Sequence, residues 1–197
     1  MENYIKQQIK DSFLVKQRIY EDITLVNNIK KVAILCVNLY KKGFKTILAG
    51  NGGSAADAQH IAAELVGRYG FDRPSIPSLA LTTDTSNLTA IGNDYGYDAI
   101  FSRQLEGMGQ EGDIFIGIST SGNSQNLINA FESAQKKNIL TVALVGKDGG
   151  KMAQMADIAL IVPSHETPRI QESHILIGHI LCDIIEKEMF GDGVENL

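Results

Sequence analysis

The chain has 197 residues and a formal net charge of −5, which argues against nucleic acid as the main partner, because duplex binding needs a clustered basic surface. Hydrophobic residues make up 44% of the sequence, a share typical of a globular domain. No stretch approaches the ~18 consecutive apolar residues of a membrane span, and the first residues lack a secretory signal pattern. We therefore expect a single cytoplasmic domain over residues 1–197, with no membrane partner. Cys36 and Cys182 lie in apolar stretches and are expected as reduced core residues.

The N-terminal part of the chain, from about residue 4 to 42, has helical periodicity and contains neither glycine nor proline. Its apolar residues form two stripes, one at Ile5, Ile9, Phe13 and Leu14 and one at Ile19, Ile23, Val26 and Ile29. This pattern predicts two amphipathic helices. A hairpin of this kind must bury its apolar stripe on its own sheet or on another subunit, and we expect it to be used in oligomerisation.

From residue 43 onward the pattern alternates between short apolar strands and helices. The candidate strands are 45–49, 79–82, 113–118, 140–145 and 158–162. The candidate helices are 55–68, 88–93, 101–107, 125–137, 152–155 and 168–189. Nearly unbroken β-branched runs are typical of parallel strands that are buried on both faces. The alternation predicts an α/β fold, a three-layer αβα sandwich with a central five-stranded parallel sheet, preceded by the N-terminal helices.

A glycine-rich loop follows the first candidate strand and opens a helix, with the sequence ILAGNGGS over 47–54. Glycine allows a sharp turn and a close approach to a ligand, and helix starts attract anions. The candidate ligand-binding residues of this loop are Asn51, Gly52, Gly53 and Ser54. Ser54 and Asp57 also have the spacing of a capping box. The loop lacks the lysine of a nucleotide P-loop and completes no G-x-G-x-x-G, so nucleotide binding is disfavoured.

A serine-rich loop follows the third candidate strand, with the sequence GISTSGNS over 117–124. Its hydroxyls belong to Ser119, Thr120, Ser121 and Ser124. A plain turn needs only one such residue, whereas several hydroxyls and amides at a helix start can hold a phosphate without a basic side chain. Loops at the carboxyl ends of parallel strands meet at one edge of the sheet. Together the two loops predict a site for one phosphorylated small molecule.

Acid and base candidates lie on two predicted helices. His60 and Glu64 are four residues apart and share a helix face, and Arg68, a candidate substrate contact, is predicted to continue that face. On the last helix Gln171 and His179 lie eight apart on one face. A carboxylate and an imidazole facing a sugar phosphate suit aldose–ketose isomerisation through an enediol. The same four groups, His60, Glu64, Gln171 and His179, equally suit Zn²⁺, and the two roles compete for the same atoms. Each group also has an explanation that needs no ligand. His60, Glu64 and Arg68 could form a solvated charged stripe on a surface helix, and His179 could be a core histidine that is hydrogen-bonded to the backbone.

Four segments together resemble a known family, the SIS-domain sugar isomerases, and within it the phosphoheptose isomerases. The segments are GNGGS at 50–54, IGND at 91–94, GISTSGNS at 117–124 and RIQE at 169–172. The resemblance implies a flavodoxin-like SIS fold. It implies that Glu64 and His179 are the acid/base pair and that His60, Glu64, Gln171 and His179 hold zinc. It implies substrate contacts from Asn51, Gly52, Gly53, Asn93, Asp94, Ser119, Thr120, Ser121, Ser124 and Gln171.

The resemblance also implies a reaction and an assembly. Members of this family convert sedoheptulose 7-phosphate to D-glycero-D-manno-heptose 7-phosphate, the first cytoplasmic step of ADP-heptose synthesis for lipopolysaccharide core. They are homotetramers with sites at subunit interfaces. Two alternatives stay open from the sequence: a non-catalytic SIS protein that binds the bacterial replication initiator, and an isomerase or sensor of another sugar phosphate. Such initiator-binding relatives lack the helix glutamate and the terminal histidine, which here are Glu64 and His179.

Overall fold

The computed structural model describes residues 1–191, and the last part of the predicted 1–197 domain, residues 192–197, lies outside the described residues. The helices are α1 (Glu2–Glu21), α2 (Ile23–Lys41), α3 (Gly53–Val66), α4 (Thr85–Tyr95), α5 (Ser102–Met108), α6 (Gln125–Lys136), α7 (Gly150–Met155) and α8 (Thr167–Phe190). The strands are β1 (Thr46–Gly50), β2 (Ser78–Ala80), β3 (Ile114–Ser119), β4 (Leu140–Gly146) and β5 (Ile158–Val162). A short 3₁₀ turn, Tyr97–Ala99, joins α4 to α5. None of the described helices is long and apolar enough to cross a membrane.

The five strands form one parallel sheet in the order β2-β1-β3-β4-β5. This confirms the predicted fold class, and the order is that of flavodoxin-like folds. Every residue of β1 and β3 is buried, because helices cover both faces of the sheet. The chain leaves β1 and β3 towards opposite faces of the sheet, so a crevice opens at their carboxyl ends, where ligands of such folds bind. Both predicted loops lie at this edge.

Two apolar clusters, one on each face of the sheet, form the core. On one face α2, α3 and α8 contribute residues such as Val32, Leu65 and Ile177. On the other face α5, α6 and α7 contribute residues such as Leu105 and Phe131. Each fully buried side chain of this size stabilises the fold by roughly 1.5–3 kcal/mol. The two clusters therefore fix α3 and α8 side by side on one face and the start of α6 on the other.

The observed helix ends follow from local hydrogen bonds. The N-terminal hairpin divides at Asp22, whose carboxylate accepts the backbone N–H groups of Thr24 and Leu25, each at 3.0 Å, an N-cap of α2. Asp84 caps α4 in the same way through the N–H of Asn87 at 3.0 Å, so that helix begins earlier than predicted. The predicted helix 55–68 is instead Gly53–Val66. Arg68 therefore lies beyond α3, and its predicted place on the face of His60 and Glu64 is wrong.

A buried ion pair explains why α3 ends at Val66. The guanidinium of Arg73 donates to the carbonyls of Glu64 at 2.8 Å and Leu65 at 2.6 Å, which closes the C-terminus of the helix. Its Nε also donates to Glu186 of α8 at 2.8 Å. Burial raises the pKa of Glu186, but hydrogen bonds from the N–H of Tyr69 and Gly70 and from Arg73 outweigh burial and hold that pKa below its ordinary value. This ion pair fixes α3 relative to α8.

Candidate active site

The glycine loop brings the start of α3 against α8. Gly52 is the N-cap of α3 and has a positive φ of 55°, a conformation that glycine adopts without strain. A Cβ atom on Gly53 would overlap the amide group of Gln171. The predicted capping box is wrong, because Ser54 lies inside the helix, 4% exposed, and makes no capping hydrogen bond. Gln171 of α8 therefore packs closely against the first residue of α3.

The serine loop gathers its hydroxyls at the start of α6. The Oγ of Ser119 lies 3.2 Å from the Oγ of Ser124 and 3.5 Å from that of Ser121. The N–H of Gly122 donates to Ser119 Oγ at 3.1 Å. Ser124 is the N-cap of α6, and its side chain makes no capping hydrogen bond within the described part of the chain. The first turn of α6, with half-buried Thr120 beside it, thus presents amides and hydroxyls to an anion.

Two residues that sequence reasoning missed join the loops. The amide groups of Asn51 and Asn126 exchange two hydrogen bonds, at 3.0 and 2.9 Å. The hydroxyl of Tyr97 donates to Asn51 Oδ1 at 3.0 Å. Asn126 is only 2% exposed and comes from the first turn of α6, so it ties the carboxyl end of β1 to that of β3. The available sequence signal for Asn126 is a polar residue two positions after the serine loop.

A cluster of three side chains forms between α3 and α8. The Nε2 atom of His60 lies 3.1 Å from Glu64 Oε1 and 3.3 Å from the Nε2 atom of His179. One ligand atom from each residue lies within 4.8 Å of the others, an arrangement that can hold a metal ion. The side chain of His60 is 47% exposed and that of Glu64 is 26% exposed, so a small molecule can reach them. The structure therefore brings together residues that the sequence placed on two separate helices.

Three further predicted residues are exposed in the single chain. Arg68 is exposed beyond the end of α3, and Asn93 and Asp94 are exposed on α4. Asn93 donates to the carboxylate of Asp94 at 2.8 Å. His174 of α8 is fully buried, and this burial lowers its pKa to about 4 because the charged imidazolium would be desolvated.

Asp57 of α3 carries a carboxyl group whose pKa is raised by burial. It lies one turn before His60 on the same helix face. Burial raises its pKa to about 6, and the neighbouring His60 opposes that shift. Within the described residues, its Oδ2 atom is buried and has no hydrogen-bond partner.

The fold and loops define a SIS domain, and the family model described as SIS domain matches residues 14–146. A phosphoheptose isomerase from Sulfurimonas denitrificans is 79% identical over 98% of this chain and 100% of its own length. One from Aneurinibacillus thermoaerophilus is 60% identical over 96% of both chains. The solved structure of a phosphoheptose isomerase from Neisseria gonorrhoeae, 44% identical, covers 94% of this chain and 98% of its own with a TM-score of 0.89. The chain belongs to the phosphoheptose isomerase family.

Proposed function

We propose that this protein is an aldose–ketose isomerase that converts D-sedoheptulose 7-phosphate to D-glycero-D-manno-heptose 7-phosphate. This reaction is the first cytoplasmic step of ADP-heptose synthesis for lipopolysaccharide core. The observation that carries the proposal is the cluster of His60, Glu64 and His179 between α3 and α8. The hydroxyls of the serine loop, which lie together at the start of α6, support it. Two similar proteins, at 79% and 60% identity, are named phosphoheptose isomerase, and these names support the same substrate.

The serine loop supplies the phosphate site. Its hydroxyls and the first amides of α6 can make several hydrogen bonds to one phosphate. The helix dipole adds favourable charge without a lysine or arginine. The residues that we assign to substrate binding are Asn51, Gly52, Gly53, Ser54, Glu64, Arg68, Asn93, Asp94, Ser119, Thr120, Ser121, Ser124 and Gln171.

The length of α3 between the glycine loop and the cluster favours an extended ligand. From Gly53 to His60 the helix rises by about 10 Å. A free phosphate cannot span that distance, whereas an open-chain sugar phosphate can. The sugar would then lie along the seam of α3 and α8, with its carbonyl end at the cluster.

Glu64 and His179 suit the two proton transfers of the isomerisation. Starting from the ketose, a base removes a proton from C1 while the carbonyl oxygen on C2 gains one, which gives an enediol. The base then returns its proton to C2, and the oxygen on C1 loses its proton to form the aldehyde. We assign the carbon protons to the carboxylate of Glu64 and the oxygen protons to the imidazole of His179.

The donor set at the cluster also fits Zn²⁺. Two imidazoles and one carboxylate with ligand atoms within 4.8 Å of one another match the ligands that this ion prefers. We assign Gln171 as the fourth ligand, although its amide packs against Gly53 in this structure. A bound Zn²⁺ would polarise the sugar carbonyl. His60 then holds the ion, while Glu64 and His179 serve both the ion and the substrate.

The N-terminal hairpin fits an oligomerisation role. Ile5, Ile9 and Phe13 form a stripe on α1 that is 51%, 65% and 63% exposed. An exposed apolar stripe of this kind is typical of a surface that binds a partner. We assign it to other copies of this chain in a homotetramer. The exposure of Arg68, Asn93 and Asp94 in the single chain fits a site that a neighbouring copy completes.

Replacing both Ile9 and Phe13 with lysine is expected to lower the mass in solution, because two charges would be buried at the interface. Sedimentation at micromolar concentration should give about four times the chain mass of 21.4 kDa for the parent and a smaller mass for the variant. Gln17→Lys, an exposed change on the same helix, serves as the control. A monomeric parent would contradict the assignment.

Product formation from sedoheptulose 7-phosphate is the experiment that tests the proposed function. The parent should convert the sugar, and the double variant Ser119→Ala/Ser124→Ala should raise KM roughly tenfold for each lost hydroxyl–phosphate hydrogen bond. Ser133→Ala, which removes a hydroxyl of α6 that bonds Glu106, should leave KM unchanged. A parent that is folded and oligomeric but converts nothing, with or without added Zn²⁺, would favour another sugar phosphate or initiator binding. An unchanged KM in the double variant would reduce the serine loop to a helix cap.

A further inference from the structure

Asp57 occupies the centre of the seam that carries the candidate site. Gly53, Asp57, His60 and Glu64 follow one another at intervals of four, three and four residues, so they share one face of α3. At one end of this stripe Gly53 contacts Gln171 of α8, and further along it His60 contacts His179 of the same helix. Asp57 therefore lies between the two contacts, one turn from His60.

The position of the Asp57 carboxylate lowers the stability of the folded protein. In the part of the chain that the structure describes, its Oδ2 atom is buried without a hydrogen-bond partner. A buried carboxylate oxygen with no donor destabilises the folded protein. A carboxylate is therefore an unfavourable choice at this position, which suggests a role that needs its negative charge.

The neighbour that needs a carboxylate is His60. Its Nε2 atom faces Glu64 and His179, and this leaves Nδ1 to another partner. A histidine that binds a metal through one nitrogen usually donates the other N–H to a carboxylate or carbonyl, which fixes the ring and its tautomer. The only other carboxylate on this stripe of α3 is Glu64, which is itself a candidate ligand of the ion.

We propose that Asp57 is a positioning residue that orients His60 and adds negative charge behind the cation site. This inference rests on the cation site of the proposed function. A divalent cation held by His60, Glu64 and His179 would then have a carboxylate one helix turn from its histidine ligand, and the negative charge of that carboxylate would stabilise the bound cation.

The test is a competition titration of the metal-free full-length protein with Zn²⁺ and a chromophoric chelator. Asp57→Asn keeps the side-chain shape and removes the charge. We expect this variant to bind Zn²⁺ roughly 10- to 100-fold more weakly than the parent. We also expect its metal-free form to melt at a higher temperature, because the buried charge is gone. A merely structural role would lower the melting temperature instead.

Matched variants separate the outcomes. Glu132→Gln, an exposed change of the same charge on α6, should alter neither readout, and Asp57→Ala repeats the test if the asparagine variant does not fold. Zn²⁺ affinity within twofold of the parent in both Asp57 variants would overturn the inference while leaving the cation site intact. A parent that binds no Zn²⁺, or whose affinity survives His60→Gln, would overturn the cation site and this inference together. A parent whose Zn²⁺ affinity depends on Asp57 as expected, yet which does not convert sedoheptulose 7-phosphate, would overturn the proposed substrate alone.

Discussion

Replacing Glu64 with glutamine should lower kcat by about 10³-fold, within the range observed for loss of a general base. Glutamine keeps the shape of the side chain but cannot take the proton from the carbon next to the carbonyl. The substrate would still be held by the serine loop, so KM should change little, and kcat and kcat/KM should fall together. Steady-state kinetics with sedoheptulose 7-phosphate measure both.

Solvent deuterium gives a second readout for Glu64. A proton that leaves the sugar carbon for a carboxylate can exchange with solvent before it returns, so the parent should place deuterium on the product carbon in D₂O. Glu64→Gln should lose this incorporation, and Glu132→Gln, which alters an exposed carboxylate of α6, should keep it. A kcat within tenfold of the parent, with undiminished exchange, would mean that Glu64 is not the base. Zn²⁺ content measured on the same samples separates loss of the base from loss of the ion.

The sheet could be predicted from the sequence because each strand is a short run of apolar residues that is visible without any knowledge of tertiary contacts. The apolar runs of β1 and β3 are buried in full, and an unbroken run of this kind is typical of a strand between two helical layers. The two loops followed from the same alternation of strand and helix. Helix ends were less predictable, because tertiary contacts set them. Ser54 has the local pattern of a capping residue, yet α3 starts earlier, where Gly53 contacts Gln171.

The sequence named the three residues of the candidate cluster, but it did not indicate their contact across two helices, and it missed Asn126 and Tyr97. His60 and Glu64 are neighbours on any helix, whereas their contact with His179 depends on how α8 packs against α3. The pairing of Asn51 with Asn126 joins residues 75 positions apart, and no short-range pattern reports it. Arg68 was placed on the face of His60 because the sequence continues a helix there. The carbonyl contacts of Arg73 end that helix first.

The second large effect is expected from the buried pair of Arg73 and Glu186, each with a side chain 1% exposed. Glu186→Gln should lower the free energy of unfolding by about 3–5 kcal/mol, because it leaves the guanidinium buried without its counter-charge. The N–H groups of Tyr69, Gly70 and Phe71, which donate to this carboxylate, would also lose an ionised acceptor. Urea denaturation at one fixed protein concentration measures the change, since oligomerisation makes stability depend on concentration. Activity should fall as well, because the pair holds the helix that carries His179.

The effect of Glu186 should depend on pH in a direction that its pKa sets. The hydrogen bonds hold the folded-state pKa below its ordinary value of 4.5. The carboxylate therefore contributes its full stability above about pH 4.5, and that contribution is lost as the pH falls through the lower folded-state value. The difference in unfolding free energy between parent and Glu186→Gln should accordingly be constant at neutral pH and shrink below about pH 4.5.

The control variant is Asp183→Asn, which removes a partly exposed ion pair with Lys187 on the same helix. It should lower the free energy of unfolding by at most about 1 kcal/mol. If both variants cost the same, α3 is held against α8 by apolar packing, and the ion pair does not fix the site.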